Sequence, residues 1–318
     1  MDELEALARI AADLPHAGDD AAIVDTTVIT TDMLHDRSDF PTGTTRYTAG
    51  WRSVGASLSD VAAMGAEATA AVAVYADIEF EPDALEAFIR GADDVCKSVG
   101  TSYVGGDLDQ HSEFTVATTA IGETDDPVLR SGANAGEAVC VTGTVGRTAA
   151  AIRLFERANE ATGEGVARTD IDEGDTEDAE EDVERANDLF RFPPRVATGR
   201  QLRPYATAMM DSSDGLARSL HQLAEASDVG FAIDRRAVPV DSAVESVATD
   251  PDDRWDLAAH FGEDFELVVT IPEAKLENAR RRSPVSITRI GSVVPADQGV
   301  TADGDPLADR GYTHGRTE

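Results

Sequence analysis

The sequence predicts two α+β domains, and three observations carry that expectation. The chain has 318 residues, enough for two domains of ordinary size. Its first 130 or so residues alternate strand-like apolar runs with stretches of helical period. A loop-like stretch, RSGANAG (130–136), then interrupts the pattern, and strand and helix signals restart after it. The boundary is therefore expected near residue 130, giving domains 1–130 and 131–318.

Residues 3–14 read as a short amphipathic helix with Leu4, Leu7 and Ala11 on one face. Strand-like pieces follow at 21–24 and 28–31, separated by a turn at Asp25-Thr26. Residues 44–65 form a long helical stretch rich in Ala and Ser, and 70–75 read as a buried strand. The clearest helix is 83–99, where Leu85, Phe88, Ile89, Ala92, Val95, Cys96 and Val99 follow the i, i+3, i+4 rule. Gly100 suits its C-terminal cap. Strands are expected at 102–104 and 113–121. In the second half they are expected at 137–141, 207–210, 230–233, 265–271 and 285–290. Helices are expected from the GTVGR turn (143–147) to about Arg157, after Phe192-Pro193-Pro194-Arg195, and over 215–226. Residues 158–187 hold many acids and few large apolar side chains, so they read as a solvated or disordered acidic insertion. No short-period repeat is present.

Composition narrows the function classes. The chain carries 61 acids against 27 Lys and Arg, a net charge of −34, and lysine occurs only at 97 and 275. The acids are spread throughout, which reads as adaptation to a salty cytoplasm, since self-repulsion of this size needs screening. The absence of a basic cluster argues against nucleic-acid binding. No apolar run approaches membrane-spanning length and the N-terminus has no signal-peptide character, so a soluble cytoplasmic protein is expected. Cys96 and Cys140 sit in apolar patterns and read as small buried hydrophobes. Aromatics make up only 5%. Trp51 and Trp255 read as packing residues and the six histidines as scattered structural or surface groups.

Chemistry is legible where acids meet Gly, Ser and Thr near the ends of apolar runs. The places are GDDAA (18–22), TTDML (30–34), SLSDVAAMGA (57–66), GGDLD (105–109), DSSDG (211–215) and GEDFEL (262–267). Mg²⁺ prefers such hard oxygen donors, whereas a softer metal would want a His/Cys cluster that the sequence lacks. Each motif alone reads more readily as a turn, because Asp and Gly tolerate turn geometry, so their order and spacing carry the argument. No Walker A sequence and no Ser/His/Asp or Cys/His arrangement is present.

Taken in order, GDDAA, TTDML, LSDVAAMGA, GGD, RSGA-x-x-GE, VTGTVG, DSSDGL and GEDFEL resemble the thiamine-monophosphate kinase family. That family is part of the superfamily of aminoimidazole-ribonucleotide synthetase and selenophosphate synthetase. The resemblance spans Gly18 to Tyr312 apart from the acidic insertion. It implies a two-domain aminoimidazole-ribonucleotide-synthetase-like fold, with the N-terminal sheets of two subunits packed into a homodimer. It implies ATP-dependent phosphorylation of thiamine monophosphate by in-line transfer, with several Mg²⁺ ions, ATP as co-substrate and K⁺ as an open cofactor. The implied metal ligands are Asp20, Thr30, Thr31, Asp32, Asp60, Asp107, Asp211 and Asp214. Gly106, Asp107, Arg130 and Ser213 would meet the nucleotide; Asp39, Glu263 and Tyr312 would meet the acceptor. The physical logic agrees. A phosphate monoester is already largely dianionic near neutral pH and needs no general base. Charge neutralisation and alignment are the whole task.

The chain departs from the family pattern at three places. Asp39, in LHDRSDF (34–40), stands where the family has His, while Arg52 and Ser57 replace a usual Lys and Asn. Two other readings stay open on the sequence: another ATP-dependent enzyme of the superfamily, such as aminoimidazole-ribonucleotide synthetase, and a non-catalytic sensor of nucleotide or thiamine phosphate.

Overall fold

The computed structural model describes residues 18–162 and 173–311. The helix expected over 3–14, and Tyr312, lie outside the described residues. Two sheets organise the chain. The first has five strands in the order β1-β2-β5-β3-β4, with β1 Ala22–Val24, β2 Thr27–His35, β3 Glu67–Asp77, β4 Tyr103–Gln110 and β5 Thr115–Glu123. A short helical turn, α1 (Asp36–Asp39), follows β2. Helix α2 (Arg46–Ala63) links β2 to β3, and α3 (Pro82–Ser98) is the crossover between the parallel pair β3 and β4.

The second sheet begins with β6 (Ala138–Thr142). Helices α4 (Arg147–Thr162), α5 (Glu173–Phe190) and α6 (Val196–Leu202) follow it. Next come β7 (Ala208–Asp211), α7 (Leu216–Ser227), β8 (Val229–Ile233), α8 (Pro251–Ala259), β9 (Leu267–Ile271), α9 (Glu273–Arg282) and β10 (Ile287–Pro295). Two short strands, β11 (Val300–Ala302) and β12 (Asp305–Pro306), complete a seven-stranded order β12-β11-β8-β10-β6-β9-β7. Strands β6 and β9 are buried along their whole length, so their continuous apolar runs mark a sheet covered on both faces. This is the α+β two-sheet architecture that the sequence predicts.

Helix α2 is the keystone. The Thr45 hydroxyl caps it by accepting from the Thr48 N–H at 3.1 Å, and nearly every residue along it is buried. Its small residues are there for close approach. A Cβ on Gly50 would lie 2.1 Å from the Phe88 carbonyl, and one on Gly91 would lie 2.0 Å from that of Tyr47, so α2 and α3 pack backbone to backbone. Across the domain boundary, a Cβ on Gly199 of α6 would lie 2.0 Å from the Ala62 carbonyl. One continuous core, with Leu58, Met64, Phe88, Leu154, Phe190 and Met209, therefore joins both halves. Gly91→Ala is expected to destabilise the protein by about 1–3 kcal/mol through overpacking, read from a chemical melt at molar KCl. An unchanged midpoint would contradict the contact.

Helices α8 and α9 and strands β11 and β12 were not expected, and three other stretches differ in extent or packing. Strand β2 extends to His35, and β4, expected only over 102–104, runs on to Gln110 because β3 supplies a full ladder of partners. TTDML and GGD therefore lie within strands rather than at loop starts. Within 158–187, α4 continues to Thr162 and α5 packs on it. There Ala179, Ala186 and Phe190 are buried and Val183 is partly buried against the core. The apolar signal was thin because three of these four residues are Ala or Val at spacings of three and four. Asn187 helps hold the helix, accepting from the Thr45 N–H at 2.9 Å and donating to the carbonyl of Gly43 at 2.9 Å.

Candidate active site

The fold draws together acids that are far apart in sequence. Asp20 precedes β1, Asp32 lies on β2, Asp60 sits in the last turn of α2, and Asp211 closes β7. Carboxylate oxygens of Asp20, Asp60 and Asp211 lie within 4.8 Å of one another. The Thr30 hydroxyl donates to Asp60 Oδ2 at 2.5 Å, which ties β2 to α2. Beside them Ser57, one helical turn before Asp60, donates to Asp32 Oδ2 at 2.5 Å and shares a 2.8 Å hydrogen bond with Thr118 of β5. The Arg130 guanidinium forks onto Asp20 at 3.0 and 3.4 Å, and the Arg130 N–H donates to Asp19 Oδ1 at 2.7 Å.

The electrostatics are strained without a cation. Burial raises the pKa of Asp60 well above the usual carboxylate range, and Asp32, Asp211 and Asp20 push it further. Burial and the Asp20 charge push Asp211 up to about 7. Asp32 is raised by burial against the opposing Ser57 bond. Burial works against the Arg130 charge, but Asp20, Asp211 and Asp60 outweigh it and raise the guanidinium pKa. Among the described residues Asp211 Oδ2 is buried with no hydrogen bond of normal geometry, though the nearby Ser59 hydroxyl opposes the rise in the Asp211 pKa. A buried carboxylate oxygen lacking such a bond beside two other carboxylates is an arrangement that a hard divalent cation satisfies. Among the described residues no His or Cys joins the cluster, so the donor set fits Mg²⁺ and disfavours zinc.

Not every residue expected at the metals meets this cluster. The Thr31 hydroxyl turns to the outer face of the sheet and donates to the Thr118 carbonyl at 2.7 Å. Asp107 lies further away. In register, Asp32, Thr118, Ala73 and Gly106 form one row across β2, β5, β3 and β4, a span of three strand steps or about 14 Å. Asp107 is the next residue on β4, so its side chain points to the opposite face. It is exposed, and with Gly106 it borders an apolar cavity of about 370 Å³ walled by Tyr75, Phe88, Ile89 and Tyr103. Asp214 and Ser213 stand on the turn between β7 and α7, adjoining Asp211. The Ser213 N–H donates to Asp211 Oδ1 at 3.2 Å.

The two described residues expected at the acceptor do meet. Asp39 and Glu263 line a cavity of about 320 Å³ together with Ile152, His260, Phe261 and Gly311. Asp39 Oδ2 accepts from the His35 N–H at 2.7 Å and from the Ser38 hydroxyl at 2.8 Å, which fixes the carboxylate at the end of α1. The GEDFEL loop is unusual: Glu263 and Phe265 adopt left-handed backbone, with φ of 60° and 53°. Asp264 is buried and its pKa is pushed up to about 7 by burial, while the N–H groups of Thr148 and Gly146, at the start of α4, oppose the shift. Glu266 pairs with Arg195. Sequence reading did not single out Thr118, Ile152 or Phe261, and it took His260 as structural. The proximity of HFGED (260–264) to Glu263 was the one available signal for two of these. A cavity of about 670 Å³ between α4 and α5 beside Gly43 is lined by none of the motif acids, so size does not mark the chemistry.

Comparison with known proteins agrees with this geometry. Residues 18–124 match the AIR synthase related protein N-terminal domain, and residues 134–303 match the corresponding C-terminal domain. A thiamine-monophosphate kinase of Halobacterium salinarum is 57% identical over 99% of this chain and 100% of its own length. One from Methanospirillum hungatei is 38% identical over 90% of this chain and 88% of its own. Among solved structures, AaThiL complexed with AMPPCP and TMP superposes with a TM-score of 0.83 at 25% identity, covering 98% of this chain and 97% of that one. Two AIR synthase related domains in sequence and kinship across the whole length place the chain in the thiamine-monophosphate kinase family.

Proposed function

We propose that the protein transfers the γ-phosphoryl group of ATP to the phosphate of thiamine monophosphate, giving thiamine diphosphate and ADP. The observation that carries this reading is the convergence of Asp20, Asp60 and Asp211, with one buried oxygen lacking a hydrogen bond of normal geometry, in a chain of this family. A structure of the same fold binds AMPPCP, an ATP analogue, together with TMP. Both substrates are anionic, and the obstacle to reaction is their mutual repulsion. Mg²⁺ bound by these carboxylates would neutralise the phosphates and order them for in-line attack.

The chain's own residues do the rest. Asp20, Asp32, Asp60 and Asp211, with Thr30, would hold the cations, and Asp214 would extend the set along the β7–α7 turn. Arg130, already charged and aimed at the cluster, supplies a planar donor fork for a phosphate. Asp39 and Glu263 present negative charge to a cationic thiazolium, and the acceptor phosphate attacks without a general base. The apolar cavity at Gly106 and Asp107 suits a purine. Ile29, Met33, Val74 and Ile121 are exposed on the outer face of the first sheet, the face that also bears Asp107. A homodimer through that face would cover them. The acid-rich surface fits work in a salty cytoplasm.

The test is direct. Protein in molar KCl with ATP, Mg²⁺ and thiamine monophosphate is expected to form thiamine diphosphate and ADP in equal amounts. ATP binding without diphosphate formation would sink the kinase reading.

A further inference from the structure

Arg52 has the most demanding environment of any cation near the acceptor cavity. It stands on α2 with 1% of its side chain exposed. Its guanidinium lies 3.7 Å from the centroid of the Phe190 ring, with Phe192 at 5.4 Å and Phe265 at 5.6 Å. It donates to the Phe190 carbonyl at 2.8 Å, to Glu263 Oε2 at 2.7 Å and to the Glu263 carbonyl at 3.3 Å. A pocket walled by three aromatic rings would be filled more cheaply by an apolar side chain, since burying a cation costs more than its pairing returns. The charge therefore points to a use beyond packing, and Glu263 is what it holds.

Glu263 is gripped from several sides. Its N–H donates to the Ser213 carbonyl at 2.6 Å, and its own carbonyl accepts from the Thr148 hydroxyl at 2.7 Å. These bonds keep it in left-handed backbone that a non-glycine residue rarely adopts. Only the Arg52 contact reaches its carboxylate among the described hydrogen bonds.

We infer that Arg52 is a positioning residue for the phosphate acceptor: it fixes the Glu263 carboxylate at the wall of the 320 Å³ cavity. This rests on the reading of Glu263 and Asp39 as acceptor contacts. The charge count suits a cationic ring: Arg52, Glu263 and Asp39 sum to one negative charge, so the cation orients a carboxylate without making the cavity positive. Arg52 touches neither the acid cluster nor the 370 Å³ cavity, so its effect is confined to the acceptor.

The experiment is a double-mutant cycle on the full chain, read as separate KM values for thiamine monophosphate and MgATP. Arg52→Met is expected to raise the acceptor KM about tenfold or more, the worth of one charged hydrogen bond, with the MgATP KM within about twofold of wild type. Arg52→Lys, which keeps the charge, is expected to recover most of that loss. In a Glu263→Gln background, Arg52→Met should add little, because both act through one carboxylate. Equal rises in both KM values with a lower melting temperature in Arg52→Lys, a variant mild enough to fold, would make Arg52 merely structural and overturn the inference. So would an acceptor effect of Arg52→Met that persists undiminished without Glu263, or a Glu263→Gln variant with wild-type acceptor KM. Thiamine diphosphate formed by wild type in the same assay keeps the kinase reading standing in each of those cases; its absence sinks that reading instead.

Discussion

Asp60→Asn is expected to lower turnover on the order of a thousandfold while leaving the fold intact. Asp60 sits where three other carboxylates converge, and Asp32, Asp211 and Asp20 all push its pKa upward. Asn has the same shape, and its carbonyl can still accept from the Thr30 hydroxyl, as Asp60 Oδ2 does at 2.5 Å. What it loses is the anion that a divalent cation needs. The metal-free variant should melt no lower than metal-free wild type, because one member of a repelling set has been neutralised. The two halves of the prediction separate a ligand from a structural acid: a structural acid would cost stability and turnover together. Wild-type turnover in the variant would refute the metal role of Asp60.

Much of this site is legible in the sequence because the acids fall in ordered motifs next to small residues. GDD and DSSD lie where the chain enters or leaves a strand, SLSD lies in the last turns of α2, and the fold brings Asp20, Asp60 and Asp211 together. What is not legible depends on register. Thr31 and Asp107 have the same local signature as Asp32 and Asp20, yet strand alternation turns them to the other face of the sheet. A one-residue offset cannot be read from a motif when the strand ends themselves are in doubt. That is also why β4 was expected to stop at Val104 and instead carries GGD in its interior. The packing of α5 was hidden for a different reason. Its buried stripe is made mostly of Ala and Val among acids, so its hydrophobic signal is faint although its contacts are real. The partner of Glu263 was hidden as well, since Arg52 lies 211 positions earlier and only the closure of α2 against the GEDFEL loop joins them.

Metal-free protein at constant molar KCl is expected to melt higher at pH 5.5 than at pH 8, and Mg²⁺ should reverse that order. Burial and the Asp20 charge push the Asp211 pKa up to about 7, from an ordinary carboxylate value of 3.8. Between those values the folded state keeps a proton that the unfolded state has released. The stability this provides is fully present below the unfolded value and is lost as pH rises through 7. Asp60 and Asp32 shift in the same direction, as does Asp264 at about 7. His260, whose pKa burial lowers, acts with the opposite sign and is a single group. Asp211 alone corresponds to on the order of 4 kcal/mol across the full window, of which roughly 2 kcal/mol, or about 5 °C in melting temperature, falls between pH 5.5 and 8. Mg²⁺ competes with those protons for the same oxygens. Its stabilising increment should therefore be large at pH 8, where Asp211 is ionised and the carboxylates repel, and small at pH 5.5, where Asp211 holds a proton. Thermal melts with Mg²⁺ or EDTA at the two pH values measure this. Equal increments at both would mean that the cation binds elsewhere on this acidic surface. In Asp60→Asn the pH dependence of the increment should shrink, because one of the competing protons is gone. The same repulsion that weakens the empty site at pH 8 gives the bound cation its affinity, so the instability of the empty site and the chemistry of the filled one have a single cause.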